Sequence, residues 1–260
     1  MDGAGAQRAI HTALDAGINH FDLARSYELG AAERLVGRVV RGRREQVILV
    51  TKFGLWPRPW AWPFQPLKPI IRRLRAARTQ AQRPHSPAPP PPAIAGRLVS
   101  ARWQYRRLPM TAASMQTSLE ASLRALGTSY VDILLMHEPP VIERWEELQA
   151  CAADLKRAGK IRGWGLACEG LPGVAERQKL DVLQVSCGSV RTNADNLGRG
   201  LVLFSPLRGI ADHEVDARLK GLWSEFPQAV VVCSMSSPEH IRANAVSAGL
   251  ERAALWGNDA

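Results

Sequence analysis

Asp22, Lys52 and His137 each break into or close an apolar run: Ile18 to Ala24, Val47 to Phe53 and Val131 to His137. Tyr27 follows shortly after the first run. A charged side chain in such a run needs a partner, because an unpaired buried charge is costly. The four types suit one chemistry. A phenol, with a pKa of about 10, is a weak acid at neutral pH. A nearby ammonium such as Lys52 stabilises the phenolate and lowers that value. A carboxylate such as Asp22 keeps the lysine charged and aimed. His137 is suited to hydrogen-bond a substrate oxygen. Such a set donates a proton to an oxygen that gains negative charge. It holds no strong nucleophile, so acyl transfer fits badly. A reduction at this site needs a hydride that side chains cannot supply, which implies a nicotinamide cofactor.

These residues must be carried by elements that share one open face. Ala4 to Ala16 has helical spacing and stops at Gly17, a helix-end signal. Further helices are predicted at 31–40, 113–126, 143–158 and 213–223. Seven apolar strands are predicted: 18–24, 47–53, 131–137, 161–167, 182–187, 201–207 and 229–235. Their near-continuous apolar character is that of parallel strands covered on both faces. Strands alternating with helices imply βαβ units. The fold expected is an α/β protein, a (β/α)8 TIM-type barrel lacking its first strand, since such a barrel wants eight. The ends that carry the four residues then open on one face, where barrel active sites lie. Ser237, Pro238 and Glu239 have the cap and first-turn pattern of a last helix.

The alternation breaks between about 55 and 110. This stretch is rich in Pro and Arg, and the run Pro87 to Pro92, interrupted only by Ala88, favours polyproline II. Residues 69–77 could form a short basic helix, and Trp56, Trp60, Trp62 and Phe64 cluster before it, either lining a substrate pocket or packing the insert. From Leu55 to Leu119 there are eleven Lys and Arg residues and no acid, more than the whole net charge of +10. The remainder is close to neutral, like an ordinary globular enzyme. The chain is therefore read as one domain over 1–260 with a basic insert, and no nucleic-acid partner is expected. The insert itself reads as a solvated loop, an attractor for anionic substrate or cofactor phosphate, or a lipid-facing helix.

With 260 residues and 46% hydrophobic composition, a sizeable core is possible. No apolar run is long enough for a membrane span, and the first 25 residues do not look like a signal peptide. Cys151, Cys168, Cys187 and Cys233 show no CxxC spacing. They read as free thiols in a reducing cytoplasm, and no metal site is suggested.

The stretches GINHFDLARSYELGAAERLVG (17–37), VTKFG (50–54) and SLEASLRALGTSYVDILLMHEP (118–139) resemble the aldo-keto reductases in motif, order and spacing. GKIRGWGL (159–166), LFSPL (203–207) and SMSSPEHIRAN (234–244) resemble that family's fifth strand, seventh strand and cofactor-phosphate segment. The resemblance implies that Tyr27 is the general acid, that Lys52 and Asp22 tune it, and that His137 orients a carbonyl. It implies reduction of an aldehyde or ketone, a small-molecule carbonyl substrate, with NADPH and without a Rossmann domain; NAD is not excluded. Gln184, Ser205, Leu207, Ser237, His240, Asn244 and Cys168 fall on the cofactor-binding positions. Ala167-Cys168 replaces the usual Ser-Asn pair, Cys187 stands where an aromatic often stacks, and the usual basic residue near Ser234 or Ser236 is absent. These departures support an alternative: a catalytically impaired barrel that binds a nucleotide or a partner protein. Oligomeric state has no signature in the sequence.

Overall fold

The computed structural model describes residues 3–58, 104–139, 142–173, 179–190 and 200–250. Helix α1 (Gly3–Asp15) leads into strand β1 (His20–Asp22) and then helix α2 (Ala31–Val39) and strand β2 (Ile48–Phe53). A short pair follows, β3 (Leu55–Pro57) and β4 (Tyr105–Arg107). Alternation then resumes with α3 (Ala112–Leu126), β5 (Val131–His137), α4 (Trp145–Arg157), β6 (Ile161–Cys168) and β7 (Val182–Ser186). The remaining described elements are β8 (Leu201–Phe204), α5 (Val215–Glu225), β9 (Val230–Val232) and α6 (Pro238–Ser247).

Seven strands form one parallel sheet in the order β1-β2-β5-β6-β7-β8-β9, a near-closed barrel with helices outside. Successive side chains on a strand face opposite ways. Val50, Leu135, Ala167, Val182 and Val202 therefore meet inside the barrel. Leu49, Phe53, Leu134, Met136, Trp164, Leu166, Leu183 and Val185 turn outward and pack with the helices. Gly165 lets β6 and β7 approach, since a Cβ there would lie 1.8 Å from the carbonyl oxygen of Val182.

The expected strand order and helical alternation are present, with β1, β8 and β9 shorter than expected. Among the described residues β1 and β9 each have a ladder partner on one side only, while β8, paired on both sides, ends at Phe204 because Ser205 turns left-handed with a φ of 56°. Among the described residues β1 and β9 do not pair with each other. A groove of about 670 Å³ separates them, floored by Ala9, Ile10 and Ala13 of α1 and Ile241 of α6. Helix α5 starts two residues later than expected, after a 3-10 turn at Asp212–Glu214.

The antiparallel β3–β4 pair was not expected. The two roots of the basic insert pair with Leu55 opposite Arg107 and Pro57 opposite Tyr105. The polyproline run, the basic helix at 69–77, and Trp60, Trp62 and Phe64 lie outside the described residues. No helix among the described residues is long and apolar enough to cross a membrane.

Candidate active site

The parallel register carries Asp22, Lys52 and His137 to the same end of the barrel. Asp22 ends β1, His137 ends β5, and Lys52 is the second-last residue of β2. On β2, Val50 and Lys52 face inward while Thr51 faces the helices, where it donates to Glu33 at 2.7 Å. Lys52 is 2% exposed, and its ammonium donates to Asp22 Oδ1, to the carbonyl of Leu23 at 3.1 Å and to Tyr27 Oη at 3.3 Å. The rings of Tyr27 and His137 meet edge-on with centroids 6.0 Å apart. The four residues thus share one pocket of about 210 Å³.

Tyr27 reaches the pocket from a loop with an unusual backbone. Glu28 and Leu29 have φ of 47° and 55°, left-handed values that cost about 1–3 kcal/mol each outside glycine. A buried ion pair secures this turn: Arg25 Nη1 lies 2.5 Å from Glu33 Oε2, and Glu33 is fully buried. The Arg25 guanidinium also stacks over Trp56, 5.4 Å from the ring centroid. Arg25 and Glu33 were not foreseen. The only sequence signal was a carboxylate on the apolar face of α2.

Burial pushes the Tyr27 phenol above its ordinary value, while Lys52 draws it down; the net direction is up. Lys52 acts in the expected direction, but desolvation of the phenolate outweighs the ammonium. For Lys52 itself, burial works against the charge, but the Asp22 carboxylate and Tyr27 outweigh it, so the ammonium is retained. Burial, with the cations of Lys52 and Arg107, holds His137 down at about 3. At neutral pH the site is a neutral phenol, an ammonium and a neutral imidazole.

Cys168, Gln184 and Ser205 line the same pocket, together with Glu138, Phe204 and Ser234. Gln184 is 2% exposed, and its Oε1 has no hydrogen-bond partner among the described residues; nor does the buried Nδ1 of His137. Two unpartnered buried polar atoms in one pocket are suited to a polar ligand. The Cys168 thiol donates to the carbonyl of Gly170, and burial with Glu138 and Glu169 pushes it up to about 11. It is a thiol at neutral pH, not a nucleophile.

The other expected cofactor residues do not line this pocket. Leu207 follows β8 outside it. Ser237 caps α6, accepting from the backbone N–H of His240 at 3.4 Å, and Pro238 takes the first helical position. The carboxylate of Glu239 also engages the Ser237 hydroxyl, so an anion of the chain itself already sits at this helix start. Asn244 turns inward and donates to the sulfur of Met235 at 3.1 Å, on a separate cavity of about 310 Å³. Trp56 lines a shallow depression with Arg106 and Leu108 rather than the pocket of the four residues.

Residues 1–195 match the model of the aldo/keto reductase family. A 6-dehydroglucose reductase of Agrobacterium fabrum is 30% identical over 168 residues, covering 63% of this chain and 43% of that protein. An NADH-specific methylglyoxal reductase of Escherichia coli is 30% identical over 169 residues, covering 62% and 41% respectively. The chain therefore matches less than half the length of these relatives. Its fold is similar to that of an aldo-keto reductase of Klebsiella pneumoniae in complex with NADPH, with a TM-score of 0.61, 20% identity and coverage of 96% of this chain and 85% of that one. It is also similar to an aldo-keto reductase of Bacillus halodurans, with a TM-score of 0.65, 17% identity and coverage of 95% and 82%. The motifs and the family-model match agree with the barrel and the placement of its polar residues: the chain belongs to the aldo/keto reductase family.

Proposed function

We propose that this chain reduces an aldehyde or ketone to an alcohol, with Tyr27 as the general acid. The observation that carries this reading is the Lys52 ammonium held between Asp22 and Tyr27 Oη at the open end of the barrel. Tyr27 is the proton donor because it is protonated at neutral pH and its phenolate would form beside a cation. Asp22 holds that cation in place. His137, kept neutral, hydrogen-bonds the substrate oxygen and orients the carbonyl. As negative charge grows on that oxygen, the proton passes to it from Tyr27 Oη, and Lys52 compensates the phenolate left behind.

The residues present fit a nicotinamide at the inner end. The unpartnered Gln184 Oε1 is an acceptor that a carboxamide N–H satisfies. Gln184, Ser205 and Cys168 would hold that end, and NADPH, or NADH in its place, would supply the hydride when bound. Leu207, Ser237, His240 and Asn244 are proposed for the remainder of the dinucleotide, where Ser237 and His240 head a helix N-terminus of the kind that favours phosphate. Glu239 on that same cap disfavours an added phosphate and makes NADH the natural comparison.

The test is direct. The protein is mixed with NADPH or NADH, and binding is followed by tryptophan fluorescence quenching. A reactive aldehyde is then added and cofactor oxidation recorded. Oxidation by the wild type and its loss in Tyr27→Phe, with binding retained, is the expected result. Binding without turnover would favour the impaired, nucleotide-binding barrel. Absence of binding at millimolar cofactor would defeat the reductase reading.

A further inference from the structure

Arg107 ends β4, the return strand of the basic insert, and lies far from the four pocket residues in sequence. Its Nη1 donates to the backbone carbonyl of Glu138 at 2.5 Å. Glu138 directly follows His137 and has a φ of 46°, left-handed without being glycine. Two hydrogen bonds pin this turn. The N–H of Glu138 donates to the carbonyl of Ala167 at 2.8 Å, which comes with the sheet. The bond from Arg107 comes with the insert. The insert's root is fixed in turn, because Leu108 N–H donates to the carbonyl of Gly54 at 2.9 Å. Gly54 lies against the end of β5, where a Cβ on it would meet the carbonyl oxygen of His137 at 3.5 Å.

The imidazole of His137 has little else to hold it. Its Nδ1 is buried without a partner among the described residues, and Tyr27 meets it only edge-on. Its direction is therefore set by its backbone, and the backbone just after it is set from one side by Arg107. The charged and titratable groups around it are Asp22, Tyr27, Lys52, Glu138 and Cys168 in the pocket and Arg107 on the rim.

We propose that Arg107 is a positioning residue for His137. By holding the Glu138 turn, Arg107 at the root of the basic insert aims the imidazole at the substrate carbonyl, so the β3–β4 root completes the site. This rests on the carbonyl-reductase reading above. The cation adds to burial and Lys52 in keeping the imidazole neutral, which is the form that role needs.

The experiment compares Arg107→Met and Arg107→Lys with the wild type. Loss of alignment at a reacting oxygen costs about ten- to a hundredfold in rate. Arg107→Met should therefore lose that much kcat, while KM and the cofactor Kd move by less than about twofold. Arg107→Lys, still a cation that can reach the carbonyl, should recover most of the rate. The His137 imidazole is also followed by NMR on acidification, without substrate. It should titrate at about 3 in the wild type, higher in Arg107→Met, and close to the wild type in Arg107→Lys. A kcat unchanged in Arg107→Met overturns the proposal. So does a Lys variant as impaired as the Met variant with the His137 titration unmoved in both, which would mean packing alone. If the wild type reduces no carbonyl, the reductase reading fails, and the positioning role of Arg107, which rests on it, fails with it.

Discussion

Lys52 Nζ lies 3.3 Å from Tyr27 Oη, and the same nitrogen is held by the Asp22 carboxylate. The relation is directional: Asp22 keeps the lysine charged, and the lysine compensates charge on the phenol oxygen. Replacing Lys52 by Met removes that compensation while keeping the volume of the side chain. General acid catalysis is worth about a hundred- to ten-thousandfold. Lys52→Met should lose at least the lower figure in kcat, measured as oxidation of reduced cofactor by an aldehyde. A variant that retains most of its turnover would remove Lys52 from the proton-donating set.

Asp22 should behave differently from Lys52. Breaking a buried pair from one side costs about 3–5 kcal/mol; Asp22→Asn strands the ammonium, which is the more deeply buried partner, whereas Lys52→Met strands a carboxylate that borders the open pocket. Urea unfolding should show Asp22→Asn less stable than Lys52→Met. Equal stability of the two would mean that the ammonium finds enough compensation from Leu23 and Tyr27.

His137 links the site to acid stability. Its folded value is depressed to about 3 from an ordinary 6.5, so the unfolded chain binds a proton that the folded chain refuses. The contribution of this group is full above 6.5 and is lost progressively as pH falls from there toward 3. His137→Gln should flatten that part of the stability profile, read from denaturant midpoints at successive pH values. The catalytic rate should show no acid limb from His137 near neutral pH, since the imidazole stays neutral there. A wild-type rate limb at the ordinary imidazole value, absent in His137→Gln, would contradict this.

Glu33 carries a prediction about the loop rather than the chemistry. It is fully buried, pairs with Arg25 and accepts from Thr51. Glu33→Ala leaves Arg25 buried and unpaired, and should cost about 3–5 kcal/mol. Because Arg25 and Glu33 bracket the strained turn after Tyr27, turnover should fall as well. The double variant Arg25→Met with Glu33→Met should be more stable than either single change, as measured by thermal unfolding. A double variant weaker than both would show that the pair is favourable beyond its own desolvation.

The legible part of this protein was what repeats along a strand or a helix. Asp22, Lys52 and His137 stood out because each interrupts or ends an apolar run, and parallel strands carry such ends to one face. Gly127 and the Ser237-Pro238 cap were readable because local backbone chemistry decides them. Tyr27 lies in a loop just past the first apolar run; that place and its phenol mark it as a candidate, and the resemblance of the surrounding motif implies its role as acid. What stayed hidden depends on pairing across the chain. The Arg107 bond to Glu138 and the Arg25–Glu33 pair follow from register and loop geometry, which no local pattern encodes. The β3–β4 pair was missed because its strands are three residues long and flank an insert whose composition reads as irregular. β1 and β9 are short at the two ends of the sheet, and β8 stops early at the left-handed Ser205, neither of which a local apolar pattern shows.

β3 and β4 pair in register from Leu55–Arg107 to Pro57–Tyr105, and the Arg58 N–H donates to the carbonyl of Gln104 at 2.8 Å. Arg58 and Gln104 therefore face each other as the closing residues of a hairpin. A two-residue Asn-Gly turn is the favoured connection between two such positions, because its twist matches that of the strands. A variant with residues 59–103 replaced by Asn-Gly keeps Arg107, the acceptor on Glu138 and every described strand of the barrel. It also removes eight of the eleven basic residues of the stretch from Leu55 to Leu119. This variant should fold with a melting temperature within a few degrees of the full chain and keep its turnover of a neutral aldehyde. If the removed charge steers an anionic substrate, kcat/KM for an anionic aldehyde should fall at low salt and converge with the full chain at high salt. Loss of folding, or of turnover with neutral substrate, would mean that residues 59–103 supply packing or contacts that the hairpin root cannot, and that the role assigned to the root through Arg107 is incomplete.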